Sequence, residues 1–157
     1  MSKKFLIAVD DSIYSKNAIK YACNIFASLK EAHFTLFHVQ PMISEYLLDE
    51  AKNDLAAEAE LKRMINKNTE AGKSLLQKYK EQMMALGIAE ANIQLETQPR
   101  MLGVAKDILV FSTAGHFDAL IMGRRGLSGL EEVFIGSVSA NVVGHSTDTP
   151  IWLIDEK

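Results

Sequence analysis

The residues best suited to chemistry run from Gly123 to Ser139: Gly123-Arg124-Arg125-Gly126, then Ser128, Gly129, Glu131 and Glu132, then Gly136-Ser137-Val138-Ser139. An apolar run, Ala119 to Met122, leads into this segment, and a helical pattern, Ser137 to His145, leads out of it. A strand, a glycine-rich loop and a helix start, in that order, make an anion site. Glycines let main-chain N–H groups come close to a phosphate, and the first turn of a helix adds unpaired donors and the positive end of its dipole. The segment reads as a phosphate cradle, with ATP the expected ligand.

The elements that must position this cradle are legible from apolar periodicity. Phe5 to Val9 is a continuous apolar run, as expected of a strand buried on both faces. Asp10-Asp11-Ser12 ends it and supplies capping residues, after which Ala18, Ile19, Ala22, Phe26 and Leu29 recur at helical spacing. Phe34 to Val39 reads as a second strand. The stretch from Ser44 to Leu86 carries a helical stripe through Leu61, Met64, Ile65, Leu75, Leu76 and Tyr79, with Gly87 as its stop; its polar, Ala-rich beginning, Ser44 to Glu60, reads equally as helix or loop. Ile93 to Thr97 alternates like an edge strand, Val104 to Leu109 is helical, Asp118 to Met122 is a fourth strand and Ile151 to Ile154 a fifth. Strands alternating with helices predict one α/β domain over residues 1–157: an open five-stranded parallel sheet, Rossmann-like, with helices on both faces. Ligands of such sheets bind beyond the strand C-termini, where Asp10, Val39 and the segment from Gly123 to Ser137 converge.

Bulk properties narrow the partners. Seventeen Lys and Arg against 20 Asp and Glu give a net charge of -3, which argues against a nucleic-acid partner. No segment reaches membrane-spanning length, and the apolar run at Phe5 is too short for a signal peptide. The single cysteine, Cys23, fits a reducing cytoplasm and reads as a packing residue of the first helix in preference to a reactive thiol.

The loop matches neither GxxxxGK[ST] nor GxGxxG, and the first strand–helix turn, Asp10-Asp11-Ser12, has no glycine. Its spacing is G-x2-G-x9-G-S, through Gly123, Gly126, Gly136 and Ser137. With Ala8-Val9-Asp10 after the first strand, His38-Val39 after the second and Asp118 to Gly123 at the fourth, the chain resembles the universal stress protein family, in its nucleotide-binding branch. The resemblance implies a dimer through the last strand, Ile151 to Ile154, and ATP with Mg or Mn as cofactor. It also implies roles by position. Ala8, Val9 and Asp10 would lie near adenine and ribose, and the Val39 backbone would bond adenine. Met122, Gly123 and Gly126 would line ribose and phosphates, and Gly136, Ser137, Val138 and Ser139 would donate to phosphates. The last assignment also follows from the helix start itself.

Several residues keep two readings. Arg124 and Arg125 are each a phosphate ligand or a solvated charge, with Arg124 preferred because it follows Gly123 directly. Asp11, where the family often has glycine, is a helix cap or a second negative charge that calls for a divalent cation. Gln98-Pro99-Arg100 stands where a glycine often precedes the third helix. Ser128, Glu131 and Glu132 read as solvated loop groups, His38 as a packed strand residue, and Trp152 as core or dimer contact. The histidines at 33, 38, 116 and 145 have no metal-ligand spacing.

No base or nucleophile suited to phosphoryl transfer stands out, so no residue is assigned a catalytic role and turnover would be slow or absent. The expectation is a cytoplasmic ATP-binding regulatory or stress protein acting through a dimer or a protein partner. The alternatives are a dimeric interaction module without nucleotide and a weak ATPase. A nucleotidylyl transferase or ATP pyrophosphatase would show HxGH or SGGxDS near the first strand, and neither is present.

Overall fold

The computed structural model describes residues 1–125 and 135–155. In chain order its elements are β1 (Lys3–Ala8), α1 (Ile13–Phe26), β2 (Ala32–Val39), α2 (Glu45–Glu50), α3 (Leu55–Ala85), β3 (Ile93–Gln98), α4 (Val104–Gly115), β4 (Ala119–Gly123), α5 (Ser137–His145) and β5 (Ile151–Ile154). The strands form one five-stranded sheet, ordered β3-β2-β1-β4-β5, and every pairing is parallel. The chain runs outward from β1 to β3, then crosses back to place β4 on the other side of β1. That reversal is the switch point at which such sheets open a crevice.

β1 sits at the centre because both of its faces are apolar. Phe5, Ile7 and Val9 enter a core with Ile19, Phe26, Leu76 and Met83 of α1 and α3, whereas Leu6 and Ala8 enter a second core with Phe37, Ile108, Leu120 and Val142. Pairing registers Ile7 against Leu36 on one side and Ile121 on the other. The expected alternation at β3 also has its place, since β3 is one edge of the sheet and β5 the other.

The second crossover differs from a single helical stretch. The residues left open between helix and loop form α2, capped by the Ser44 hydroxyl, and the start of α3, capped by Asp54. No residue of α2 is buried, while Gly72, Leu76, Tyr79 and Met83 anchor the C-terminal half of α3. Ion pairs such as Lys62–Glu58 and Arg63–Glu60 line its solvent side. Gly87, at φ +100, terminates the helix as its position implied. Gly72 also lets α3 lie against the sheet, because a Cβ there would stand 2.7 Å from Thr97 Oγ1. The cap of α1 is Ser12, whose hydroxyl accepts the Ser15 N–H, and not Asp11, which is exposed outside the helix.

Half-buried Trp152 packs on the α1 face, stacked on Phe26 with centroids 5.4 Å apart, with part of its surface left exposed at the sheet edge. Cys23 is fully buried, and burial pushes its thiol up to about 11. Since the thiolate is the reactive form, the native protein at pH 8 is expected to leave an aromatic disulfide reagent unreacted, and unfolding in urea to release the thiol. Rapid reaction of the native protein would place Cys23 outside the core.

Candidate functional site

β1 ends earlier than its neighbours. Its last bond to β2 is Val9 N–H to Phe37 C=O at 2.9 Å, and the chain then turns away through Asp10. On the far side of β2, Gln40 N–H still donates to Gln98 C=O at 2.8 Å. Successive main-chain groups along a strand point to alternate sides, so the N–H and C=O of Val39 face the β1 side, past the end of β1. The Val9 carbonyl nearest to them accepts from His38 Nδ1 at 3.0 Å; since a carbonyl only accepts, that nitrogen carries the proton.

A cavity of about 340 Å³ opens there. Ala8, Val9 and Asp10 line it from the end of β1; Phe37, His38, Val39 and Gln40 from β2; Met122 and Gly123 from β4. Gly136, Ser137, Val138 and Ser139 close it from the start of α5, and Val104 and Ile108 from α4. The volume lies in the range of small-molecule pockets, roughly 300–1,000 Å³.

The polar groups of this wall are held by their neighbours. Ser15 Oγ accepts the Asp10 N–H at 2.9 Å and donates to Asp10 Oδ1 at 2.9 Å. From α3, Tyr79 donates its hydroxyl to the Asp10 carbonyl at 2.6 Å. Burial, followed by the nearby charges of Asp10 and Asp11, raises the Tyr79 phenol well above its ordinary value, so it remains a donor. Across the cavity, the buried Ser139 hydroxyl donates to the Gly123 carbonyl at 2.9 Å, which ties the first turn of α5 to the end of β4.

Gly136 is the N-cap of α5, with φ −67 and ψ 159. Its N–H is not directed to the cavity, because it donates to the Arg124 carbonyl at 2.8 Å. The donors at this helix start are therefore the amides of Ser137, Val138 and Ser139, which the geometry of a first turn leaves without intrahelical acceptors. Together with the dipole end, they suit an anion.

Of the two arginines, Arg125 lines the cavity and the preferred Arg124 does not. Arg124 is absent from the cavity wall: its guanidinium pairs with Asp155 at 2.7 Å and its N–H donates to the Ile154 carbonyl at 2.9 Å. Arg125 lines the cavity instead. Successive residues leaving a strand point in opposite directions, and the end of β5 offers a carboxylate to the first of them. Gly126, Ser128, Glu131 and Glu132 lie outside the described residues. Sequence reading overlooked Ser15, Gln40, Val104, Ile108 and Arg100 as lining residues. The helical stripe at Val104 and Ile108 was the available signal for α4 as an apolar wall. The absent glycine before that helix proves to be present one turn later: Gly103, at φ +117, is the N-cap of α4. The loop ahead of it is fixed by buried Asp107, which accepts the N–H groups of Met101 and Leu102 at 2.9 and 3.0 Å. Among the described residues, no group of three His, Cys, Asp or Glu is placed to hold a metal ion.

One family's sequence profile matches residues 1–154. The chain belongs to the universal stress protein family. Among curated relatives, universal stress protein YxiE of Bacillus subtilis is 26% identical, covering 98% of this chain and 99% of its own. Universal stress protein MJ0577 of Methanocaldococcus jannaschii is 27% identical, covering 100% and 97%. The solved structure of MJ0577 superposes with a TM-score of 0.75 over 100% of this chain and 98% of that one. The same fold, at lower identity, holds nucleotides in other members. A universal stress protein in complex with cAMP is 18% identical, with a TM-score of 0.67 over 97% of this chain and 96% of that one. The Archaeoglobus fulgidus protein in complex with dAMP is 17% identical, with a TM-score of 0.62 over 97% of each chain.

In this universal stress protein Gly123 has a structural duty separate from any ligand. A Cβ there would stand 2.7 Å from Tyr14 Cβ and 2.9 Å from the Tyr14 carbonyl carbon, so α1 can sit against β4 only over a glycine. Gly123→Ala is expected to destabilise the fold by about 1–3 kcal/mol through overpacking, measured by urea denaturation. A change under about 0.5 kcal/mol would mean that α1 retreats without cost.

Proposed function

We propose that this protein binds an adenine nucleotide, ATP in particular, in the crevice beyond β1, β2 and β4. It would act in the cytoplasm as a regulatory stress-response protein, with nucleotide state governing its association with a second copy or a protein partner. The observation that carries this reading is the placement of two donor sets on one cavity. The outward-facing main chain of Val39 stands at one end, and the amides of Ser137, Val138 and Ser139 stand at the other. The first suits the edge of a base and the second a phosphate, while Ala8, Phe37, Ile108 and Met122 supply apolar wall between them. Asp10, whose carboxylate accepts the Ser15 hydroxyl, would meet a ribose hydroxyl. The family members that carry cAMP and dAMP support an adenine nucleotide as the ligand class. ATP would bring Mg or Mn on its own phosphates, and the chemistry assigned to this chain is binding and orientation, without a turnover step. Self-association would use the edge of β5, which has no further strand among the described residues and where Ile151, Trp152 and Leu153 are half-buried.

The helix-start donors allow a test that spares the fold. Proline is well tolerated at the first position of a helix, and Gly136 already has the extended conformation that a following proline requires. Ser137→Pro thus removes one N–H while keeping α5. Loss of one charge-assisted hydrogen bond is expected to weaken ATP binding by about tenfold or more, whereas Ser137→Ala, which keeps the N–H, changes it by less than about threefold. Calorimetric titration of the purified, nucleotide-stripped protein reads both, and thermal melting checks the fold. Equal affinity in the proline variant would remove the cradle from the site. Absence of ATP binding in the native chain, with magnesium or manganese present, would favour the dimeric interaction module.

A further inference from the structure

The cavity wall carries two guanidinium groups, Arg100 and Arg125, and one described carboxylate, Asp10. The sheet order separates the arginines. Arg100 follows β3, at the side where β2 offers Val39, whereas Arg125 follows β4, two residues after Gly123, whose carbonyl takes the Ser139 hydroxyl. Arg125 is therefore the arginine on the side of the α5 donors.

Its surroundings leave it ready for an anion. The guanidinium carbon lies 5.9 Å from the centroid of the Tyr14 ring, which supports one face of the group. Arg125 Nε is buried and has no hydrogen-bond partner among the described residues. No described carboxylate lies within ion-pair distance of Arg125, in contrast to Arg124, whose guanidinium is bound to Asp155. A guanidinium presents a planar fork suited to two oxygens of one phosphoryl group.

The amides of Ser137, Val138 and Ser139 are neutral and clustered on one turn, which suits a single phosphate group. Each additional phosphate adds negative charge to a cavity that already holds the Asp10 carboxylate, so a cationic side chain beyond the helix start favours it, beside any metal the phosphates bring. We propose that Arg125 sets the number of phosphates this site accepts, binding the phosphoryl oxygens beyond the one held by α5 and thereby favouring nucleoside di- and triphosphates over monophosphates. This inference rests on the nucleotide reading and adds a specificity-determining residue to it.

The experiment titrates AMP, ADP, ATP and inorganic tripolyphosphate, at fixed salt and magnesium, into the native chain and into Arg125→Gln, Arg125→Lys and Arg124→Gln. Arg125→Gln is expected to weaken ATP and ADP by about tenfold or more and AMP by less than about threefold. Arg125→Lys, a point charge without the fork, should lose part of the same preference. Arg124→Gln removes the same charge outside the cavity and should preserve the ratio of ATP to AMP affinity. Should Arg125→Gln fail to fold, the graded loss in Arg125→Lys carries the test. Equal losses for all three nucleotides, or none, would overturn the assignment while leaving the nucleotide reading intact. Tripolyphosphate bound through Arg125 without any adenine nucleotide would retire the nucleotide reading and retain the assignment. Binding of neither would retire both.

Discussion

The crevice exists because β1 stops while its neighbours continue. β1 is paired on both sides and buried on both faces, so its course is the most constrained in the sheet. When it leaves the sheet at Val9, main-chain groups of β2 lose their partners. The structure holds this break open with specific bonds: His38 to the Val9 carbonyl, Ser15 to both ends of Asp10, and Tyr79 to the Asp10 carbonyl. Three different elements, β2, α1 and α3, thus converge on Val9 and Asp10, where the chain leaves the sheet. The long crossover helix α3 is part of the site for this reason, although it contributes no lining residue.

The opposite wall depends on close approach. Gly123 admits α1 against β4, Ser139 ties α5 to the Gly123 carbonyl, and Gly136 returns its N–H to Arg124. The last two contacts fix the first turn of α5, whose residues Ser137, Val138 and Ser139 line the cavity. Glycines that a sequence reader assigns to ligand approach serve here first in packing one backbone on another. The cavity is a by-product of that packing.

Arg124 and Arg125 show how adjacent identical residues acquire different fates. Both Nε atoms are buried. One guanidinium closes on Asp155 and joins the loop root to β5, and the other lies along Tyr14 on the cavity wall. The difference comes from what each side of the strand end offers, a carboxylate on one side and an aromatic face on the other. Asp11 and Asp107 make the same point with carboxylates: the first stands exposed outside a helix that Ser12 caps, and the second is buried because two main-chain N–H groups of the preceding loop require an acceptor.

The sequence by itself determined the parallel α/β sheet, its strand segments and the place of the helix start at Ser137, because these follow from apolar periodicity, caps and glycine spacing, all of which are local. Strand ends moved by one or two residues where pairing extends beyond the apolar run, as at Lys3 and Ala32. The residues Ala8, Val9, Asp10, Val39, Met122 and Gly123 were legible as strand C-termini, and the tertiary structure brought them onto one cavity together with the start of α5. It alone decided which arginine faces that cavity, that Gly136 has no N–H to give, and that α4 and Ser15 complete the wall. Those outcomes depend on the directions of side chains and on partners far apart in the chain, such as Arg124 with Asp155 and Tyr79 with Asp10. No local pattern encodes them, because they are set only when the sheet has brought its strand ends together.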